Sequence, residues 1–289
     1  AAMRPAGPGW ALILGASSGL GAASALSLAR AGLDILGVHL DRRGTLPRAH
    51  ALADGVRALG RRVELFNLNA ADPTNRRLVL ERAQQLCAQE GSHLRLLLHS
   101  LAFGALRPLV PASSCRSQDA ALPSPEGRPL EDLDTSDDVL TPRQLGTTLD
   151  VMAHSLIWWA RDAVQAGLLR RGGRVLALTS AGSQRVLLSY GAVSAAKAAL
   201  EAHVRQLAVE LAPCGVTVNA LRAGVTDTPA LRLIPEAEQL LREVERRHPT
   251  GRGTRPEDVA DAVTAMLHPG MGWVTGNVIG VDGGEALLA

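Results

Sequence analysis

A chain of 289 residues with 46% hydrophobic content is long enough to bury one large α/β core or two smaller ones. Its 30 basic and 28 acidic residues leave a net charge of +2, too balanced to advertise nucleic acid or an anionic membrane as a partner. Three scattered cysteines without CxxC spacing argue against a disulfide framework or a zinc site. They point to a reducing compartment, with the cytoplasm as default. The eight histidines form no HExxH-like pair, so no metal is expected. Aromatics make up only 2%, so Ala, Leu and Val must do most of the packing. No apolar run reaches membrane-spanning length, and residues 1–9 read as a loose leader lacking a signal peptide's apolar core.

In chain order, short apolar runs at 10–14, 34–40, 62–68, 95–99, 174–179, 217–221 and 278–281 read as strands. Between them, amphipathic stretches at 22–31, 48–59, 76–89, 149–169, 193–211 and 256–267 read as helices. Strands that are nearly all apolar belong in a parallel sheet covered by helices on both faces. The expectation is therefore a three-layer, doubly wound Rossmann-type α/β fold, with residues 1–289 as a single domain. One stretch, about 109–141, breaks the rhythm. It is rich in Pro, Ser and Asp and weakly periodic, and it reads as an insertion, either disordered or a lid near the ligand-binding edge.

The first strand runs into Gly15-Ala-Ser17-Ser18-Gly19-Leu20-Gly21 and then a helix. In this setting backbone N–H groups and a helix N-terminus cradle a pyrophosphate. Gly15 makes the turn, Gly19 lets backbone approach phosphate, and Gly21 lets the helix close on the sheet. The same loop formally matches GxSxG, the nucleophile elbow of hydrolases, which would need an acid and a histidine such as His203, His248 or His268. Against it, the elbow falls on the first strand and Gly21 goes unexplained. Ser194-Ala-Ala-Lys197 matches SxxK, but no Lys-Thr-Gly accompanies it.

The chain's one tyrosine, Tyr190, lies seven residues before Lys197 on a predicted helix, so almost two turns separate them and both face one side. An ammonium beside a phenol lowers the phenol's pKa, which suits a proton donor near neutral pH. Taken with the glycine loop, His99-Ser100-Leu101-Ala102, Gly224-Val-Thr226-Asp-Thr228 and the tail around Asp282-Gly-Gly, this pattern resembles the short-chain dehydrogenase/reductase family across residues 9–287. Ordinary members carry Asn-Asn-Ala-Gly at the fourth strand and place Tyr four residues before Lys, where this chain has Val193. The Tyr-x6-Lys spacing and His-Ser-Leu-Ala-Phe are similar to bacterial enoyl-acyl-carrier-protein reductases. The helix and tail resemble their NADPH-using third type, and 99–103 resembles the commonest type.

The resemblance implies roles. Tyr190 hydrogen-bonds the enolate oxygen, Lys197 holds the nicotinamide ribose, and Ser180 takes the catalytic serine position, unless it merely caps a turn. Cofactor contacts fall on Gly15, Ser17, Ser18, Gly19, Leu20, Gly21, Ser100, Leu101, Ala102, Lys197 and Gly224. Thr226 and Thr228 join them, although both could be helix-start threonines. Asn69 and Ala70 match the adenine-contact position, although Asn69 could simply stabilise a turn. His99 supports the strand end rather than donating protons, and Met152 replaces the helix Asn of the ketoreductase proton relay. The second strand's end offers both Asp41 and Arg42-Arg43. With His39 in the position of the NAD-type acid, the arginines favour NADP(H) over NAD(H), unless they form only a solvated turn. The implied substrate is an acyl thioester on coenzyme A or acyl carrier protein. The implied assembly is a homotetramer, to which Trp158, Trp159 and the last strand contribute.

Overall fold

Runs of consecutive apolar residues make strands that want burial on both faces, and a seven-stranded parallel sheet gives this to its inner strands, leaving the edge strands partly exposed. The computed structural model describes residues 9–111 and 139–287. The strands are β1 (Trp10–Leu14), β2 (Asp34–His39), β3 (Val63–Asn67), β4 (Leu94–His99), β5 (Arg174–Ser180), β6 (Thr217–Ala223) and β7 (Val278–Val281). Their order is β3-β2-β1-β4-β5-β6-β7. Helices α1 (Gly19–Arg30), α2 (Leu46–Ala58), α3 (Pro73–Glu90), α4 (Pro142–Leu149), α5 (Ser155–Gln165), α6 (Gly191–Leu211), α7 (Ala237–Arg247) and α8 (Pro256–Ala265) connect them.

Because successive strand residues point to opposite faces, β1 feeds two cores. Leu12 and Leu14 join Leu97, Val175, Trp159 and Leu200 on one side. Ala11 and Ile13 join Leu96, Leu98, Leu176 and Val263 on the other. β1 pairs with β2 on one edge and β4 on the other, so the winding reverses between β1 and β4. Open α/β sheets bind ligands beyond the strands' carboxyl ends at such a switch point. The glycine loop, residues 100–102, Ser180 and the loop after β6 all emerge there.

Two expectations needed correction. The helix expected at 149–169 begins at Pro142, behind a capping box in which Thr141 and Gln144 bond each other's backbone. It passes through a π turn at Asp150–His154 and stops at Gln165. Gly167 then turns left-handed (φ 69°), and Leu168 and Leu169 are buried by the reversed chain rather than by a helix face. The helix α7 has no counterpart among the expected segments, and it buries only Ala237 fully. Most of the 109–141 insertion lies outside the described residues. Its two ends meet, the Leu140 N–H donating to Pro108 O at 2.9 Å.

Candidate active site

The loop after β1 is shaped by close approach. Gly15 has φ 86°, and a Cβ there would collide with the Ser100 carbonyl oxygen; a Cβ on Gly21 would collide with Gly15 O. Gly19 (φ 52°) faces Thr228, whose Cβ and Cγ2 lie 3.4 Å from where a side chain would start. The loop, the end of β4 and the segment after β6 are thus in contact. Ser18 caps α1 without a side-chain hydrogen bond, so the helix's first N–H groups point into the space beyond the sheet. This cradle fits the pyrophosphate of a dinucleotide.

At the end of β2, Asp41 is anchored. Its Oδ2 lies 2.8 Å from His39 Nδ1, its backbone N–H donates to Asn67 Oδ1 at 2.9 Å, and Asn67 Nδ2 donates back to its carbonyl at 3.0 Å. Burial pushes the Asp41 carboxyl up, but hydrogen bonds from Ser17, Thr45 and His39 outweigh it and hold the group below the usual carboxylate range. Arg42 and Arg43 are exposed, and His39 is buried. Asn69 accepts from Ala71 N at 2.9 Å, so its carboxamide oxygen makes a turn. Ala70 is buried, with its carbonyl taken by the Trp159 indole at 2.8 Å.

The catalytic candidates converge where β5 meets α6. Tyr190 is the N-cap of α6, and Ser189 before it takes φ 58°, a left-handed conformation uncommon outside glycine. Gly182 lies between Tyr190 and Ser180: a Cβ there would sit 2.6 Å from Tyr190 Cε1 and 3.3 Å from Ser180 Oγ. Ser180 Oγ is buried with no hydrogen-bond partner of normal geometry, yet it is close enough to favour ionisation of the phenol. Burial prevails and raises the Tyr190 pKa. The expectation of a lysine-depressed phenol is corrected: burial governs the phenol, and the Lys197 ammonium donates to Leu178 O at 2.7 Å. Full burial lowers the Lys197 pKa to about 8, with Glu201 opposing the fall. Lys197 is the only lysine in the sequence, as Tyr190 is the only tyrosine.

Around this pair, His99 is fully buried, its Nε2 2.8 Å from Ser155 Oγ, which itself donates to Val151 O. Burial lowers its pKa to about 3, so it is neutral. Met152 and Val193 are 2% and 4% exposed, and both pack against Gly104; neither offers a polar group where a ketoreductase relay would need one. Thr226 is buried and donates to Gly224 O at 2.8 Å. Thr228 Oγ1 accepts from Leu231 N at 3.2 Å. Leu101 packs against the core and Ala102 is exposed. Gly182→Ala should cost about 100-fold in turnover with near-normal dinucleotide affinity, since a displacement on the order of 1 Å at the reacting group suffices for that. Steady-state kinetics beside a binding titration would check it.

The family model described as enoyl-(acyl carrier protein) reductase matches residues 133–285. The 3-oxoacyl-[acyl-carrier-protein] reductase FabG of Aggregatibacter actinomycetemcomitans is 31% identical over 278 residues, covering 94% of this chain and 97% of that protein. The chain belongs to the short-chain dehydrogenase/reductase family. The enoyl-[acyl-carrier-protein] reductase [NADH] FabI of Bacillus cereus is 37% identical over 139 residues, 48% of this chain, and the match spans about half of that relative's length (54%). Among solved structures, a Burkholderia cenocepacia short-chain dehydrogenase in complex with NADP superposes with a TM-score of 0.74 at 27% identity, covering 96% of this chain and 98% of that one.

The GxSxG match falls within the glycine loop between β1 and α1. Asp41 reaches Ser17, and no histidine does so. His203 pairs with His154, His248 with Asp282 O, and His268 with Gly270 N. The two tryptophans part company: Trp159 is core, whereas Trp158 is 40% exposed beneath Arg161. Sequence reasoning missed Asn67, Gly182 and Glu201. Only Gly182 left a trace, as a glycine two residues past a strand-end serine. No helix among the described residues is long and apolar enough to cross a membrane.

Proposed function

We propose that the protein reduces the C2–C3 double bond of a 2-enoyl thioester with a nicotinamide dinucleotide. The observation that carries this reading is Tyr190 at the N-cap of α6, with buried, apolar Val193 in the position that serves ketone reduction. Three helical residues displace the anchor by about 4.5 Å along the axis. A ketoreductase needs its donor at the carbonyl that receives the hydride. An enoyl reductase needs it at the thioester oxygen, two carbons from the hydride's target. The reduced nicotinamide supplies the hydride when bound.

Tyr190, kept protonated by burial, donates a hydrogen bond to the oxygen on which enolate charge develops. Lys197 holds the nicotinamide ribose, and Ser180 Oγ, lacking a partner, bonds substrate or phenol. Gly15–Gly21, with Ser100, Thr226 and Thr228 alongside, carry the dinucleotide. Phe103, Leu109 and Val110 are exposed at the same end of the sheet, and Leu109 contacts the Gly191 position beside Tyr190. Such apolar surface suits an acyl chain on coenzyme A or acyl carrier protein. A homotetramer and a place in fatty-acid synthesis belong to the same reading.

For the cofactor, anchored Asp41 weighs against the NADP(H) suggested by Arg42, because a carboxylate accepts from the ribose diol and repels a 2′-phosphate. We therefore favour NAD(H). Asp41→Ser should shift the NADPH/NADH ratio of kcat/KM upward by about 10-fold or more. A wild type that prefers NADPH, with a ratio untouched by the substitution, would refute the assignment.

The second reading, β-ketoacyl reduction, draws on the near full-length match to the 3-oxoacyl reductase. Loss of nicotinamide absorbance with a short 2-enoyl thioester but not with a β-ketoacyl thioester is the expected result. The opposite pattern overturns the proposal.

A further inference from the structure

Below the site, Glu201 is 7% exposed, one helical turn beyond Lys197 on the same face of α6. A buried carboxylate at this depth is costly unless it is paired and hydrogen-bonded. Its Oε1 accepts from Thr179 Oγ1 at 2.7 Å, and Thr179 precedes Ser180 on β5. Lys197 Nζ donates to Leu178 O at 2.7 Å on the same strand. The end of β5 is therefore gripped at two consecutive residues by two side chains of α6, immediately before the serine beside Tyr190. We propose that Glu201 is a positioning residue, keeping the Lys197 ammonium charged in a dry site and holding the strand end that presents Ser180.

The charged and titratable groups around Lys197 are few. Glu201 on α6 favours its ammonium form. His99 on β4 feels the ammonium but is neutral. Tyr190, at the head of α6, is a neutral phenol whose pKa burial has raised. β5 supplies a carbonyl and a hydroxyl, neither of which titrates near neutrality. Besides the hydrogen bond to Leu178 O, Glu201 is the charge that offsets the desolvation of the ammonium among the described residues. With Lys197 poised near 8, losing that carboxylate should discharge the lysine around neutral pH. The part of the inference that concerns catalysis rests on the proposed function; the coupling of the two side chains does not.

The single lysine makes the test direct. Biosynthetic labelling with 13Cε-lysine places one side-chain resonance in the whole chain, so its titration reports Lys197 without assignment. The expected midpoint lies near 8 in the wild type and about one pH unit lower in Glu201→Gln, which keeps an acceptor for Thr179 but no charge. Thr179→Val keeps the charge and should leave the midpoint much closer to the wild type. If Glu201→Gln does not fold, Glu201→Asp substitutes, and its midpoint should fall by less than a unit.

Affinity for the reduced dinucleotide supplies the functional arm. In Glu201→Gln it should drop about 5-fold at pH 8 and return toward wild type at pH 6, a rescue that a packing defect would not show. An unshifted lysine midpoint in a folded variant, or a weakened affinity indifferent to pH, overturns the inference. Failure of the wild type to reduce any enoyl thioester overturns the proposed function instead and leaves the lysine titration as it was.

Discussion

Tyr190→Phe should lower turnover of a 2-enoyl thioester by about 10²- to 10⁴-fold while leaving the dinucleotide bound with near wild-type affinity. The substitution removes one oxygen from a ring that is already packed. Its edge lies over Gly182, and its backbone is fixed by the left-handed Ser189 and the start of α6. The loss should therefore fall on the transition state and not on the fold. Loss of a donor to the developing oxyanion predicts a fall in kcat and kcat/KM together. A rise in KM alone would mean that the phenol only holds substrate. Full activity would remove Tyr190 from the chemistry.

The same geometry fixes the pH dependence. The phenol's pKa is raised by burial, so it stays a donor across neutrality. Lys197 is lowered to about 8, its ammonium present below that value and lost as pH rises through it. An alkaline limb in kcat/KM for the dinucleotide near 8 thus belongs to the lysine. Lys197→Arg, which cannot discharge in this range, should abolish the limb whatever it does to the rate.

How far the chain could be read unaided follows from what each feature depends on. Strands β1 and β7 fall where the apolar runs place them; for β1, burial on both faces leaves a signal in the residues themselves, and β7, only partly buried at the sheet edge, is marked by its Val-Ile-Gly-Val run. The glycine loop is equally legible, since strand, turn and helix are adjacent in sequence. Features that depend on distant partners were not. Asn67 clamps Asp41 across two strands, and Glu201 meets Thr179 from another element. The direction of the Tyr190 shift needed the depth of the pocket, which spacing along a helix does not contain. Asn69 shows the limit from the other side: an asparagine at a strand end reads alike as ligand contact or turn, and the 2.9 Å bond from Ala71 N, which shows the turn, is not visible in sequence.

Gly21→Ala should be the most damaging single methyl group in the protein. The added Cβ would collide with the Gly15 carbonyl oxygen and sit 3.3 Å from Ser100 Oγ. The obstacle at Gly15 is backbone, held in turn because Gly15 N–H donates to Val38 O at 2.8 Å. No rotamer relieves it, so either α1 withdraws from the sheet or the loop moves. Overpacking of this kind costs about 1–3 kcal/mol. The larger consequence is functional, because the displaced atoms are those whose N–H groups form the proposed phosphate cradle. Dinucleotide affinity should fall by about 100-fold, and the thermal stabilisation that bound cofactor confers should largely vanish. Gly44→Ala serves as the control: its Cβ would meet nothing within 4 Å, so both melting temperature and affinity should hold or improve slightly. Should Gly21→Ala instead bind the dinucleotide as tightly as the wild type, the pyrophosphate does not lie on this loop, and the roles given to Ser17, Ser18 and Leu20 fall with it.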